Sequence, residues 1–178
     1  ICAGIAWICG LAEFNQSKVL ELIPMFTISG FGWSVLKILG EEYGWRGTLL
    51  PELRKACSPL ASAAIVGAVW AVWHGPVLYG LGHHMHIGNP LKLTLIQMAA
   101  VFVFSFPFAY FYFLSNSIIP PMIFHFVWNI YNPTVLGDIY RNQPGIMNGN
   151  ILLINGEGLL GVLLGSVVVL WYCRSRSN

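Results

Sequence analysis

Apolar residues run in long blocks separated by short polar punctuation, a pattern that fits helices of about 20 apolar residues each. Residues 1–14 read as the tail of one such helix, ended by Asn15-Gln16-Ser17-Lys18. Residues 19–39 are apolar enough to span and run without an obvious loop into Gly40-Glu41-Glu42, with Pro24, Gly30 and Gly32 as bend points. Residues 41–56 keep helical character up to Arg54-Lys55, ahead of a Cys57-Ser58-Pro59 turn. A span over 60–81 follows, with Gly75-Pro76 near its far end, then a loop holding His83, His84, His86 and Pro90. Residues 91–114 form the longest uninterrupted span. After a Ser115-Asn116-Ser117 turn, 118–135 forms another. A loop rich in Gly and Asn covers 136–150, and 151–173 closes the bundle. The pattern predicts an all-α fold: a polytopic transmembrane helix bundle of about six spans, forming one domain over 1–178.

Composition strengthens that reading. Hydrophobic residues make up 56% of the 178 positions and charged residues 9%, and the mean hydropathy is +0.67. A soluble domain carries about a quarter charged residues. The bilayer is therefore the expected partner, and the chain is expected to be a multi-pass protein of the cell membrane. A net charge of +2, scattered along the chain, gives no footprint for nucleic acid. The chain opens at Ile1 inside an apolar run, which reads as a piece of a longer protein with further helices upstream; no basic start or small-residue cleavage pattern marks a signal peptide. Cys2, Cys9, Cys57 and Cys173 show no metal-ligand spacing. Arg54, Lys55, Arg174 and Arg176 fall on one side by span counting, which would be cytoplasmic, with Lys18, Lys92 and Arg141 opposite.

Against this background, ionisable groups inside spans need a reason, since each costs about 2.5–3.5 kcal/mol near a helix centre on insertion scales. Glu42 and Arg46 are four apart, so they share a helix face and can pair. Glu41 is rotated from Glu42 by about 100° and is left free of that arginine. An interfacial helix with its charges in water is the plainer alternative. Geometry favours a buried site: Glu41 lies 16 residues before Cys57 and His74 lies 17 after it. In a helical hairpin the two sit at one depth, roughly 24 Å from the turn at 1.5 Å per residue. His125 and Asn129, at i and i+4, project from one face, and interhelical hydrogen bonding is their plainer role. His125 is only about 10 Å from its own helix start by the same rise, shallower than Glu41.

Together Glu41-Glu42-x-x-x-Arg46, Trp70-x-x-x-His74 and His125-x-x-x-Asn129 resemble the signature of the CPBP family. That family contains CAAX prenyl endopeptidases of the Rce1 type and the Abi proteins of bacteriocin processing or self-immunity. The resemblance covers about residues 20–140, the motif-bearing core. Trp70 stands where the family often carries Phe. The resemblance implies an intramembrane endopeptidase acting on a prenylated CAAX-like tail or a leader or bacteriocin-type peptide. Glu41 would be the base that activates water and His74 would orient that water. His125 and Asn129 would donate to the oxyanion, and the ion pair of Glu42 and Arg46 would support the helix. No cofactor is expected. The family is often labelled metalloprotease, and Glu with two His could ligate zinc. The lack of a His-Glu-x-x-His arrangement favours a metal-independent mechanism.

Other candidates carry less. His83, His84 and His86 read as solvated loop histidines, with metal binding as the rival. The aromatics between Trp70 and Tyr112 read as packing residues, with a lipid or prenyl pocket as the rival. Asp138 and Arg141 read as solvated and Glu157 as interfacial. A non-catalytic scaffold or immunity protein of the same family is the alternative function, and a transporter is a weaker third.

Overall fold

The computed structural model describes residues 1–22 and 28–175. Among these, α1 (Cys2–Ile8) leads into a three-residue strand, β1 (Ala12–Phe14), and then α2 (Gln16–Leu22) and α3 (Ile28–Glu42). A π-helical segment, Tyr43–Leu49, and α4 (Leu50–Arg54) continue α3 to the first sharp turn. The long helices α5 (Pro59–His84) and α6 (Pro90–Ser115) come next, then α7 (Ile119–Leu136), β2 (Met147–Gly149), α8 (Ile151–Ile154) and α9 (Leu159–Ser175).

Local chemistry sets these limits. Ser58 accepts the Ala61 N–H and Pro59 occupies the first turn of α5, a pairing that starts helices because it fills an orphan donor and removes another. Asn89 and Pro90 repeat the arrangement for α6, with Asn89 accepting from Lys92. Asn116 ends α6 in the left-handed conformation, which asparagine tolerates better than most residues.

Helix α6 is the centre of the bundle. Its pairing with α5 is antiparallel: Gly82 meets Pro90, Gly75 meets Met98 and Gly67 meets Ser105. At the last contact a Cβ on Gly67 would lie 2.8 Å from the Ser105 Cβ and 3.1 Å from the Phe102 carbonyl oxygen. Ser105 donates to the Ala63 carbonyl at 3.0 Å across the same seam. Small residues thus let two backbones approach, as helices in lipid require. Helix α9 runs parallel to α6, since Gly165 packs on Val103 and Tyr172 on Phe106 and Tyr110. Helix α7 runs antiparallel to α6, with Trp128 on Phe104 and Phe124 on Phe108 and Phe111. Leu50, Ala63, Val66, Phe106, Ala109 and Tyr172 form the main core.

Three helical segments are long and apolar enough to cross a membrane: Pro59–His84, Pro90–Ser115 and Ile151–Arg174. The expected count of six spans is not reached among the described residues. The expected span over 19–39 crosses the undescribed stretch 23–27, so it lies partly outside the described residues. The all-α bundle itself is as expected, and large apolar side chains such as Val72, Leu95, Leu163, Val167 and Leu170 stand exposed on its outer faces. Arg54 lies over Phe113 and Trp171 against Tyr110, which puts the Arg54 and Arg174 helix ends at the same end of the bundle.

Several expectations are corrected. Residues 1–14 are not one helix tail: Gly10 adopts a positive φ of 66°, α1 stops, and β1 pairs antiparallel with β2 through Ala12–Gly149, Glu13–Asn148 and Phe14–Met147. His83 and His84 belong to the last turn of α5, not to a loop, because Pro76 does not end that helix; His86 is in the connection, with φ 52°. The closing helix is broken between α8 and α9, where Asn155 to Gly158 turn inward.

Gly67→Ala is expected to lower stability by about 1–3 kcal/mol through overpacking of the α5–α6 seam. Gly80→Ala, where a Cβ would meet nothing within 4 Å, should be neutral or stabilise by about 0.5–1 kcal/mol through helix propensity. Unfolding titrations of the two variants in one detergent check the contrast.

Candidate active site

Two adjacent acids at the end of α3 face different surroundings. Glu42 is fully buried and Glu41 is half-buried. The Glu42 Oε1 accepts from Arg46 Nη1 at 3.0 Å and from His125 Nδ1 at 2.8 Å. The Arg46 guanidinium, itself 0% exposed, lies 4.3 Å from the ring centre of Trp70 and 4.4 Å from that of Phe108. Aromatic faces of this kind attract a desolvated cation. Arg46 belongs to the π-helical segment, a geometry common at functional sites.

Glu41 has no ion-pair partner among the described residues; its Oε2 accepts from the Trp70 indole Nε1 at 3.3 Å. One turn along α5, His74 Nδ1 lies 2.9 Å from the Trp70 carbonyl oxygen. A carbonyl only accepts, so Nδ1 carries the proton and Nε2 keeps its lone pair in the neutral ring. His125 packs edge-on against Trp70 and Phe108, with ring centres 5.7 and 5.4 Å away. Its Nδ1 donates to Glu42, so Nε2 can donate only when the ring is an imidazolium. Asn129, one turn beyond His125, makes no side-chain hydrogen bond among the described residues.

Glu41, His74, His125 and Asn129 all line one cavity of about 320 Å³. Glu42 and Arg46 are not among its lining residues; they lie behind Trp70 and His125. The shallow depth expected of His125 has a simple resolution. A Cβ on Gly47 would be 3.4 Å from Ile118 Cγ2, so the α6–α7 turn is level with Gly47. The Arg54–Cys57 turn projects beyond it, by roughly 10 Å for seven residues of helix.

The cavity also takes in residues outside the three motifs. Lys37 lines it from α3, and Asp138, Tyr140 and Arg141 line it from the loop after α7. Arg141 is solvated as expected, its side chain 67% exposed, whereas Asp138, paired with it at 3.7 Å, is only 18% exposed. Glu157, beside the start of α9, lines the cavity and accepts from Trp128 Nε1 at 3.1 Å. The signal for it was present in Asn155-Gly156-Glu157-Gly158, a turn-forming stretch that breaks an otherwise apolar helix. His83, His84 and His86 are exposed and away from the cavity, whereas Trp70, Phe104 and Phe108 among the aromatics do line it.

A catalytic zinc takes three protein ligands. Among the described residues no three His, Cys, Asp or Glu side chains are grouped to hold a metal ion, so Glu41 with His74 and His125 does not fit a three-ligand zinc site.

Comparison with known proteins bears on the same residues. The family model described as type II CAAX prenyl endopeptidase Rce1-like matches residues 23–131. No curated protein and no solved structure matches the chain. The matched region begins before Glu41 and ends after Asn129, so it holds all three motifs and stops short of Glu157. With well over half of its 178 residues matched, the chain belongs to the Rce1-like family of type II CAAX prenyl endopeptidases, a family of membrane proteases.

Proposed function

We propose that this chain hydrolyses a peptide bond of a membrane-associated substrate, with Glu41 as general base. The observation that carries the reading is that the acid left without an ion pair shares one cavity with His74, His125 and Asn129. Glu41 takes a proton from water as the water oxygen bonds to the scissile carbonyl carbon. His74 accepts the second hydrogen of that water through Nε2 and so fixes its attack. The carbonyl oxygen becomes an oxyanion, to which Asn129 donates through its amide and His125 through Nε2 as an imidazolium. Glu42, hydrogen-bonded to the other His125 nitrogen, offsets that positive charge. As the C–N bond breaks, the proton on Glu41 passes to the leaving amine and the carboxylate is restored. Donors placed in advance can lower such a barrier by about 2.7–4 kcal/mol each. Every step uses side chains of this chain.

The substrate class follows the family name: a prenylated tail of CAAX type fits better than a leader or bacteriocin-type peptide. The exposed apolar faces of α5, α6 and α9 would meet lipid, with the protein crossing the cell membrane several times.

Glu41→Gln should lower kcat by about 10²–10⁴-fold, the range for loss of a general base, with folding retained because the amide keeps an oxygen for Trp70. Asn129→Ala should lower kcat by about 10²–10³-fold with little change in KM. Cleavage of a farnesylated peptide followed by mass spectrometry measures both, and full proteolysis by Glu41→Gln would sink the mechanism. Arg46→Met leaves Glu42 buried with one partner fewer and should destabilise by about 3–5 kcal/mol, with part of the loss recovered in the Glu42→Gln/Arg46→Met double variant. Unfolding titrations read that difference.

A further inference from the structure

The segment between α8 and α9 is built to present one carboxylate. Asn132 donates to Asn155 Oδ1 at 2.8 Å and accepts the Gly156 N–H at 2.9 Å. Asn155 accepts the Glu157 N–H at 2.8 Å and donates to the Gly137 carbonyl at 2.7 Å. Gln97 donates to the Glu157 carbonyl at 2.8 Å. The turn is also fitted sterically: a Cβ on Gly156 would lie 2.6 Å from both Asn132 Oδ1 and Trp128 Cη2. Gln97, Asn132 and Asn155 are all buried. Three buried polar side chains therefore fix the backbone on either side of Glu157, and Trp128 fixes its Oε1.

Neither the backbone bonds nor the Trp128 contact needs a charge, since a glutamine oxygen would accept from the indole equally well. The charge itself has no counter-ion among the described residues. Arg46 is paired with Glu42 and Arg141 with Asp138; Lys37 and His125 share the cavity wall with Glu157, but among the described residues neither forms an ion pair with it. A carboxylate inside an apolar bundle is expensive unless something offsets it, and its open side is the cavity.

We propose that Glu157 is a subsite for a positively charged side chain, lysine or arginine, carried by the substrate peptide close to the scissile bond. The inference rests on the cavity being the peptide site argued above. Glu157 lies outside the family-matched residues 23–131, so the subsite is separate in sequence from the three catalytic motifs. A charged residue would enter the cavity paired with a carboxylate already held in place, whereas a neutral residue would leave that carboxylate unpaired, and the difference favours the cationic peptide.

The test uses the full chain in lipid nanodiscs and quenched farnesyl-cysteine peptides. Lysine or its neutral isostere norleucine is placed in turn at each of the two positions before and the three after the cysteine. Wild type is expected to favour lysine in kcat/KM by about tenfold or more at one position, the effect of about 1.4 kcal/mol. In Glu157→Gln that ratio should fall to about one, and Glu157→Asp should keep a preference. A wild-type ratio near one at every position overturns the subsite, as does an unchanged ratio in Glu157→Gln. Peptide binding to Glu41→Gln, read by fluorescence anisotropy, separates the two readings. Charge-dependent binding without hydrolysis by wild type overturns the protease reading and leaves the subsite standing. Hydrolysis that depends on Glu41 but ignores peptide charge does the reverse, and no binding of either peptide overturns both.

Discussion

One carboxylate oxygen organises this bundle. Glu42 Oε1 accepts from Arg46 and from His125 at once, and the guanidinium it holds is clasped between Trp70 and Phe108. Those residues come from α3, the π-helical segment, α5, α6 and α7, so a single buried charge joins five pieces of chain. A charge in such surroundings is tolerable only with its partners in place. Any arrangement of the helices that separates α3 from α7 strands both Glu42 and Arg46 away from water, which makes the cluster a specification of register as much as a source of stability.

The same cluster decides what Glu41 can do. The two acids are neighbours in sequence but about 100° apart on the helix, so only one can turn to Arg46. Glu42 is consumed by the fold, and Glu41 is left with the weak donor Trp70 on the cavity wall. Trp70 also supplies the carbonyl that fixes the His74 tautomer and one of the rings against His125. Its indole reaches further than a phenyl ring would, and its Nε1–H is a donor that phenylalanine lacks. The exchange at this motif position therefore changes the chemistry around Glu41, since it adds a hydrogen bond to that carboxylate.

Much of this was legible from local pattern. The 16- and 17-residue spacings about Cys57 put Glu41 and His74 on one cavity because a helical hairpin preserves depth along its arms. The starts of α5 and α6 and the α6–α7 turn followed from Ser58-Pro59, Pro90 and Ser115-Asn116-Ser117, whose effects act within one turn of helix, whereas the far end of α5 did not. What escaped reading was non-local. The pairing of β1 with β2 joins residues 12–14 to 147–149, a distance over which no periodicity carries information. Glu157 escaped for a related reason. Its surroundings are made by Gln97, Trp128 and Asn132, which lie far from it in sequence and read singly as polar or aromatic residues of their own helices.

The charges of the chain thus divide by whether the fold uses them. Arg46, Glu42 and His125 pair with one another in the interior, and Asp138 pairs with Arg141 at the rim of the cavity. Among the described residues Glu41 and Glu157 form no ion pair, and both border the same cavity from opposite parts of the sequence. A bundle that could have buried apolar side chains at both positions instead supports each acid with a tryptophan N–H, a donor that orients a carboxylate without neutralising it. That is the arrangement expected where one acid must remain a base toward water and the other must remain an anion toward a substrate. Glu41 lies within the residues shared with the family and Glu157 lies outside them, so chemistry and selectivity would occupy separate stretches of this chain while meeting in one cavity.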